Sequence, residues 1–387
     1  MPEIRLPRPD RSLETWRLGE PRPLPERAEG PFDRIAFAAA HVVHDPLADH
    51  DPWDEPAIDF DATLAWRHRL WDLGLGVAEA MDTAQRGSGL DWPAAQALIA
   101  RSIAEARARE GALLFSGVGT DHLLPRPDLS LVDVLRAYEE QLAFVEGLGG
   151  RVILMASRAL ATVARGPEDY LAVYGRLLEQ VREPVIIHWL GEMFDPTLAG
   201  YWGDRDHWRA METLLRLVET HAARIDGIKV SLLSKEKEIA MRRRLPAGVR
   251  MYTGDDFDYA ELILGDGEGH SDALLGIFDA IAPVASAALA ALARGDRETC
   301  LALFAPTVPL SRHIFRSPTR YYKTGIVFLA WLDGHQSHFT MLGGQESARS
   351  LLHLCELFRL ADRAGLLRDP ELAAARMRHF LSVHGID

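Results

Sequence analysis

The sequence predicts an α/β fold, a (β/α)8 TIM barrel followed by a C-terminal helical extension, and three observations predict it. From about residue 33, short apolar runs alternate with longer stretches of helical periodicity, as parallel strands joined by crossover helices require. Eight such runs occur over about 260 residues, the size of one eight-unit barrel. Past residue 295 the strand signal stops and only helical periodicity continues. A doubly wound open sheet would place G-x-G-x-x-G after its first strand, and that motif is missing there.

The elements follow in order. Residues 1–32 are rich in proline and charge and read as an extended N-terminal arm. Residues 33–295 form the expected barrel. Its strand candidates are 34–43 (RIAFAAAHVV), 76–82 (GVAEAMD), 111–119 (GALLFSGVG), 151–157 (RVILMAS), 183–190 (EPVIIHWL), 227–233 (GIKVSLL), 250–255 (RMYTGD) and 270–277 (HSDALLGI). Between the second and third lies WPAAQALIARSIAEARARE, a helix with proline just inside its start and apolar residues at three- and four-residue spacing. Residues 296–387 read as a helical unit, from RETCLALFAPTVPLSRHIFR through YYKTGIVFLAWLDG to ESARSLLHLCELFRLADRAGLL.

Composition excludes several classes of function. The net charge of −13, with no long basic block, argues against nucleic acid as a partner, because phosphate binding needs clustered Lys and Arg. No apolar run reaches the ~18–20 residues of a membrane span. The start carries no apolar signal core, so a cytoplasmic location is expected. Two cysteines, Cys300 and Cys355, are too few for a disulfide scaffold or a four-cysteine zinc site. A small-molecule substrate is the expected partner.

One residue points to chemistry. The chain has only four lysines, and Lys229 lies within the apolar segment IDGIKVSLL. Side chains alternate along a barrel strand, so Lys229 and Ser231 share one face while Ile228, Val230 and Leu232 share the other. If the branched aliphatics meet the helix layer, the lysine points inward, where low dielectric disfavours its charged form. A neutral amine attacks a carbonyl carbon and forms a Schiff base. The bland alternative is a lysine that reaches solvent or pairs with Asp226 or Asp255.

Around this lysine the sequence resembles the dihydrodipicolinate synthase and N-acetylneuraminate lyase family of class I aldolases. The carriers are GIKVSLL, YTGDDFDYAELILG and GDGEGHSDALLGIFDAIAP, in order across residues 226–283, with YYKTGIVFLAWLDG resembling a helix of the family's C-terminal unit. The resemblance implies that Lys229 is the Schiff-base nucleophile, that the imine needs no cofactor, and that the protein forms a homo-oligomer. Other positions depart from the family. Its Gly-Thr-Thr-Gly-Glu carboxylate loop corresponds to MDTAQRGSGL, which keeps Thr83 but has Ala84, Gln85 and Arg86; its relay tyrosine corresponds to His188, followed by Trp189; its Pro-Tyr-Tyr corresponds to MASRALATVARG. Synthesis of dihydrodipicolinate from pyruvate is therefore not expected.

The resulting expectation is a lyase or aldolase acting on a small carbonyl compound, a sugar- or polyol-derived oxo compound or an oxo acid. His188 is the expected proton relay, because an imidazole both donates and accepts near neutral pH. Asp255 is expected to orient the lysine, with Thr83, Arg86, Ser116 and Trp189 as substrate contacts. The aromatic stretch HWLGEMFDPTLAGYWGDRDHW is long for a strand-to-helix connection and suits a lid over a polyhydroxylated ligand. An alternative is a divalent metal held by Glu79, Asp82 and His41, with His44 and His188 nearby, polarising a sugar carbonyl. His41 and His44 have opposite parity, so both reach one site only if the strand has ended. A barrel that binds a metabolite without chemistry is a third possibility.

Overall fold

Alternation of side chains along short strands sets the architecture of the computed structural model, which describes residues 1–386. Eight parallel strands close into a barrel: β3 (Ala36–Ala39), β4 (Gly76–Glu79), β5 (Leu114–Val118), β6 (Arg151–Leu154), β7 (Val185–Leu190), β8 (Ile225–Ser231), β9 (Arg250–Thr253) and β10 (Asp272–Leu275), with β10 pairing back to β3. Each falls within or overlaps its expected segment; most are shortened where the backbone turns into loops, and β8 begins two residues earlier than expected. Helices cover the outside, as an all-parallel sheet demands.

The barrel interior is a small apolar layer that includes Phe37, Ala78, Phe115, Ile153, Ile186, Tyr252 and Leu274. Phe37 meets Phe115 and Tyr252 edge-on, with ring centroids 5.2 and 5.9 Å away. The alternate residues of the same strands, such as Val77, Val152, Ile187, Ile228 and Val230, join the much larger core against the helices. At the N-terminal end of the barrel Asp226 accepts from the Tyr252 hydroxyl at 2.6 Å and pairs with Arg151 and Arg250. The bottom is thus closed by its own charges, and the opposite, C-terminal end carries the open mouth.

The N-terminal segment differs from the expected extended arm. β1 (Glu3–Pro7) and β2 (Leu13–Arg17) pair antiparallel, with Ile4 and Leu6 buried. The hairpin docks on the C-terminal helices: Trp16 Nε1 and the Gly19 amide both donate to Asp362 at 2.9 Å, and Arg359 donates to the Pro7 carbonyl at 3.3 Å. Pro7, paired opposite Leu13, ends the first strand of this two-stranded ribbon, an edge position where a missing donor is tolerated.

Beyond the barrel run helices Arg297–Phe304, Thr307–Ile314, Tyr322–Leu332, Leu351–Arg363 and Pro370–Val383. Helix Tyr322–Leu332 is buried along its whole length, which explains its apolar sequence. Its first turn meets the barrel mouth. Among the described residues no helix is long and apolar enough to cross a membrane.

Candidate active site

The register of three neighbouring strands places the lysine. Lys229 pairs with His188 of β7 on one side and with Tyr252 of β9 on the other, and Tyr252 belongs to the interior layer. In-register residues of adjacent parallel strands, about 4.8 Å apart, share a face. Lys229 and His188 therefore point into the barrel near its C-terminal mouth, with Ser231 one step higher. Lys229 is 7% exposed and His188 is 3% exposed. Gly254 makes room for the lysine: a Cβ there would lie 2.2 Å from Ser231 Oγ and 2.9 Å from Lys229 Cε.

The charges around the amine decide its state. Burial pulls the Lys229 pKa below the usual lysine value, against the opposing pull of Asp256 and, more weakly, Asp82. The same burial pushes the Asp256 carboxyl upward, opposed by the Ile277 amide that donates to Oδ1 at 2.8 Å and by Lys229. Neither partner is locked in its ionised form, so a neutral amine and a protonated carboxyl are within reach near neutral pH. Burial, and then the nearby lysine charge, hold His188 well below its ordinary value. The imidazole is thus neutral, with Nε2 at 3.0 Å from Ser231 Oγ.

The C-terminal unit completes the mouth. The Tyr322 hydroxyl lies 2.7 Å from Thr83 Oγ1, and Lys323 Nζ donates to Asp82 Oδ1 at 3.1 Å. Tyr322 and Lys323 are both buried. Burial, reinforced by Asp82, pushes the phenol well above its usual pKa, so it stays protonated and can donate a hydrogen bond. Ala80, at φ +52°, turns the chain sharply after β4 and carries Met81, Asp82 and Thr83 over the barrel.

Several expected residues lie elsewhere. Asp255 continues the outward parity of Thr253; its Oδ1 accepts from the Phe257 and Asp258 amides, its Oδ2 has no partner among the described residues, and burial pushes its carboxyl up to about 6. Asp256, one residue on, is the carboxyl whose charge acts most strongly on the lysine. Ser116 is on the opposite face of β5 from interior Phe115, without a hydrogen-bond partner among the described residues. Trp189, beside Val230 in the register, packs in the helix-side core with its ring edge-on to His207. These two side chains cannot touch a ligand inside the barrel.

Arg86 reaches the mouth but is saturated. Its Nε and Nη2 grip Asp121 at 2.7 and 2.9 Å, Nη2 also donates to Gln141, and Nη1 donates to the Ala80 and Gly117 carbonyls. All five N–H donors are used. The metal alternative loses its ligand set for a similar reason. Glu79 faces the helix layer and is bound by Arg67, Ser102 and the Ala80 amide; His41 is held by Asp279; Asp82 is paired with Lys323. His44 turns to Thr340 and His50. Among the described residues no group of three or more His, Cys, Asp or Glu side chains is arranged to hold a metal ion.

A cleft of about 680 Å³, counting its open mouth, lies over His188, Met81 and Asp82. Its walls are Leu190, Leu198, Leu123, Met155 and the polar residues Thr120, Asp121, Arg158 and Asp195. Among the described residues no Trp, Tyr or Phe lines it. Two aromatics of the expected lid turn inward instead: Tyr201 and Trp202 are buried against Tyr170 and Tyr174, while Trp208 is exposed outside the cleft lining. The cleft thus offers no aromatic face to a polyol ligand. Asp256, Tyr322 and Lys323 were not found by sequence reasoning. For Lys323 a signal existed, since it is one of four lysines in a chain that otherwise uses arginine.

Fold and mouth together define the class: a closed parallel barrel whose functional groups converge at the C-terminal ends of its strands. Residues 4–386 match the family described as "Protein of unknown function (DUF993)", and the chain belongs to that family. No curated protein matches it in sequence. Among solved structures it is similar to YagE, a prophage protein of the dihydrodipicolinic acid synthase family from E. coli K12 in complex with pyruvate, at TM-score 0.64 and 13% identity over 92% of this chain and 99% of that one. Dihydrodipicolinate synthase from Acinetobacter baumannii, chloride-inhibited and complexed with pyruvate, gives 0.63 and 17% over 86% and 99%. The 4-hydroxy-tetrahydrodipicolinate synthase from Methylacidiphilum fumariolicum SolV gives 0.63 and 15% over 89% and 98%. The chain thus shares the fold of the dihydrodipicolinate synthase family.

Proposed function

We propose that this protein is a Schiff-base-forming lyase or aldolase that acts on a small carbonyl compound through Lys229. The observation that carries the reading is the inward lysine at the barrel mouth, depressed in pKa by burial and set beside Asp256 and neutral His188. The shared fold, whose relatives include two complexes with pyruvate, supports it further.

The chemistry follows from the positions. The neutral amine adds its lone pair to the carbonyl carbon, and a proton passes from nitrogen to the former carbonyl oxygen. Protonation of that hydroxyl lets it depart as water and leaves a protonated imine. This cation draws the electron pair of the neighbouring C–C bond as it breaks, giving an enamine and releasing the second fragment as a carbonyl compound. The hydroxyl proton lost by that fragment goes to His188, whose neutral Nε2 shares a hydrogen with Ser231. Protonation of the enamine carbon and hydrolysis of the imine restore the lysine. Run backwards, the same steps form the bond. Asp256 accepts and returns protons at the amine, and Thr83 with Tyr322 supplies a hydrogen-bond donor at the mouth.

Incubation with 2-oxo acids and small aldoses, followed by borohydride, is expected to add the mass of the reduced adduct to the peptide holding Lys229. A substrate that is turned over yet leaves that peptide unmodified would sink the reading.

A further inference from the structure

The cleft over His188, the register neighbour of Lys229, contains two guanidinium groups in opposite states. Arg86 has spent all five donors on protein acceptors. Arg158 has spent one: its Nε donates to Asp195, and among the described residues both terminal nitrogens lack a protein partner. Its side chain is 42% exposed, and both it and Asp195 line the cleft with His188. Asp195 is fixed in turn, because its Oδ1 accepts from the Thr197 amide at 3.0 Å and its hydroxyl at 2.7 Å. The guanidinium is therefore aimed by a bonded carboxylate while its outer edge stays free. Glycine at position 87 keeps that edge clear, since a Cβ there would lie 2.9 Å from Arg158 Nη1.

Two terminal N–H groups side by side match the two oxygens of a carboxylate or phosphate. The other charges of the cleft are already answered: Asp82 by Lys323 and Asp121 by Arg86. We propose that Arg158 binds an anionic group remote from the reacting carbon, so that the protein selects oxo compounds carrying a carboxylate or phosphate at the end opposite their carbonyl. This rests on the Schiff-base reading only for which end of the ligand meets Lys229; the anion preference itself needs no imine.

The test uses the full chain with Lys229→Ala, which forms no adduct, and measures binding by calorimetry. Succinic semialdehyde is compared with butanal, and glycolaldehyde phosphate with glycolaldehyde. At least one charged probe is expected to bind about 10–100-fold more tightly than its uncharged counterpart, as a charge-assisted pair implies, and the larger ratio identifies the anion. Adding Arg158→Gln is expected to bring the ratio close to unity, while Arg158→Lys keeps part of it. A charged probe that keeps its full advantage in Arg158→Gln, or the lack of any advantage with Arg158 present, overturns the proposal. Failure of borohydride trapping in the wild-type chain would strike the Schiff-base reading and leave this ratio unaffected.

Discussion

A buried ion pair, Arg67 with Glu79, and a buried lysine and carboxyl that make no salt bridge, Lys229 and Asp256, behave in opposite ways. Between the barrel and its helices, Glu79 receives Arg67 through two nitrogens at 2.9 and 2.8 Å, and also accepts from Ser102 and the Ala80 amide. Arg67 gives its remaining bonds to the His41 and Thr63 carbonyls. At the mouth, among the described residues, Lys229 feels the charge of Asp256 without a hydrogen bond to its nitrogen, and both groups are pulled toward their neutral forms by burial. The first pair is complete and structural. The second is left unfinished, and a group with unused capacity is one that a ligand can engage.

The largest contrast should come from removing each cation. Arg67→Met strands the Glu79 carboxylate in the core and is expected to lower stability by about 3–5 kcal/mol in urea melts. Lys229→Met removes a charge that burial already disfavours. It should leave stability unchanged or raised while abolishing turnover. Equal loss of stability in both variants would erase the distinction between the pairs.

A finer test acts on the amine through its partner. Asp256 favours the charged lysine, so Asp256→Asn should let the neutral amine persist to lower pH. The acid limb of reductive trapping with an accepted substrate is expected to move down by about one pH unit or more. An upward shift would mean that Asp256 is not the group that holds the ammonium.

The smallest effect concerns a third buried carboxyl. Glu238 accepts from Thr253 and Ser271, yet burial pushes it up from 4.5 to about 8. Because the folded chain holds this proton more tightly than the unfolded one, its contribution is fullest below pH 4.5 and is lost as pH rises toward 8. Glu238→Gln should flatten that decline, changing the wild-type minus variant stability by a few kcal/mol at most across the window. The difference between the two chains isolates Glu238 from Asp255 and Asp272, which burial also pushes up, each to about 6.

The strands were legible because a parallel barrel buries both faces of each strand, which writes short apolar runs into the sequence. Parity then put Lys229 and Ser231 on one face with the residues that line the interior. The same rule applied to β4, β5 and β7 would have sent Glu79, Ser116 and Trp189 to the helix layer; composition near the mouth outweighed it. Arg86 could not be read this way, since only coordinates show that every donor is occupied. Asp256 sits in a turn where strand parity lapses, and Tyr322 and Lys323 arrive from a helix 239 and 241 positions beyond their partners Thr83 and Asp82. Long-range closure of that kind leaves no local periodic signal.

The docked hairpin carries a consequence for how the chain is made. Trp16 and Asp362 stand 346 positions apart, so the apolar side of Ile4 and Leu6 has no cover while the whole barrel is being translated. A nascent chain must keep that ribbon from pairing with a neighbour's open edge until helices Leu351–Arg363 and Pro370–Val383 have emerged. Truncated products that end before residue 351 would be the species most prone to aggregate during synthesis.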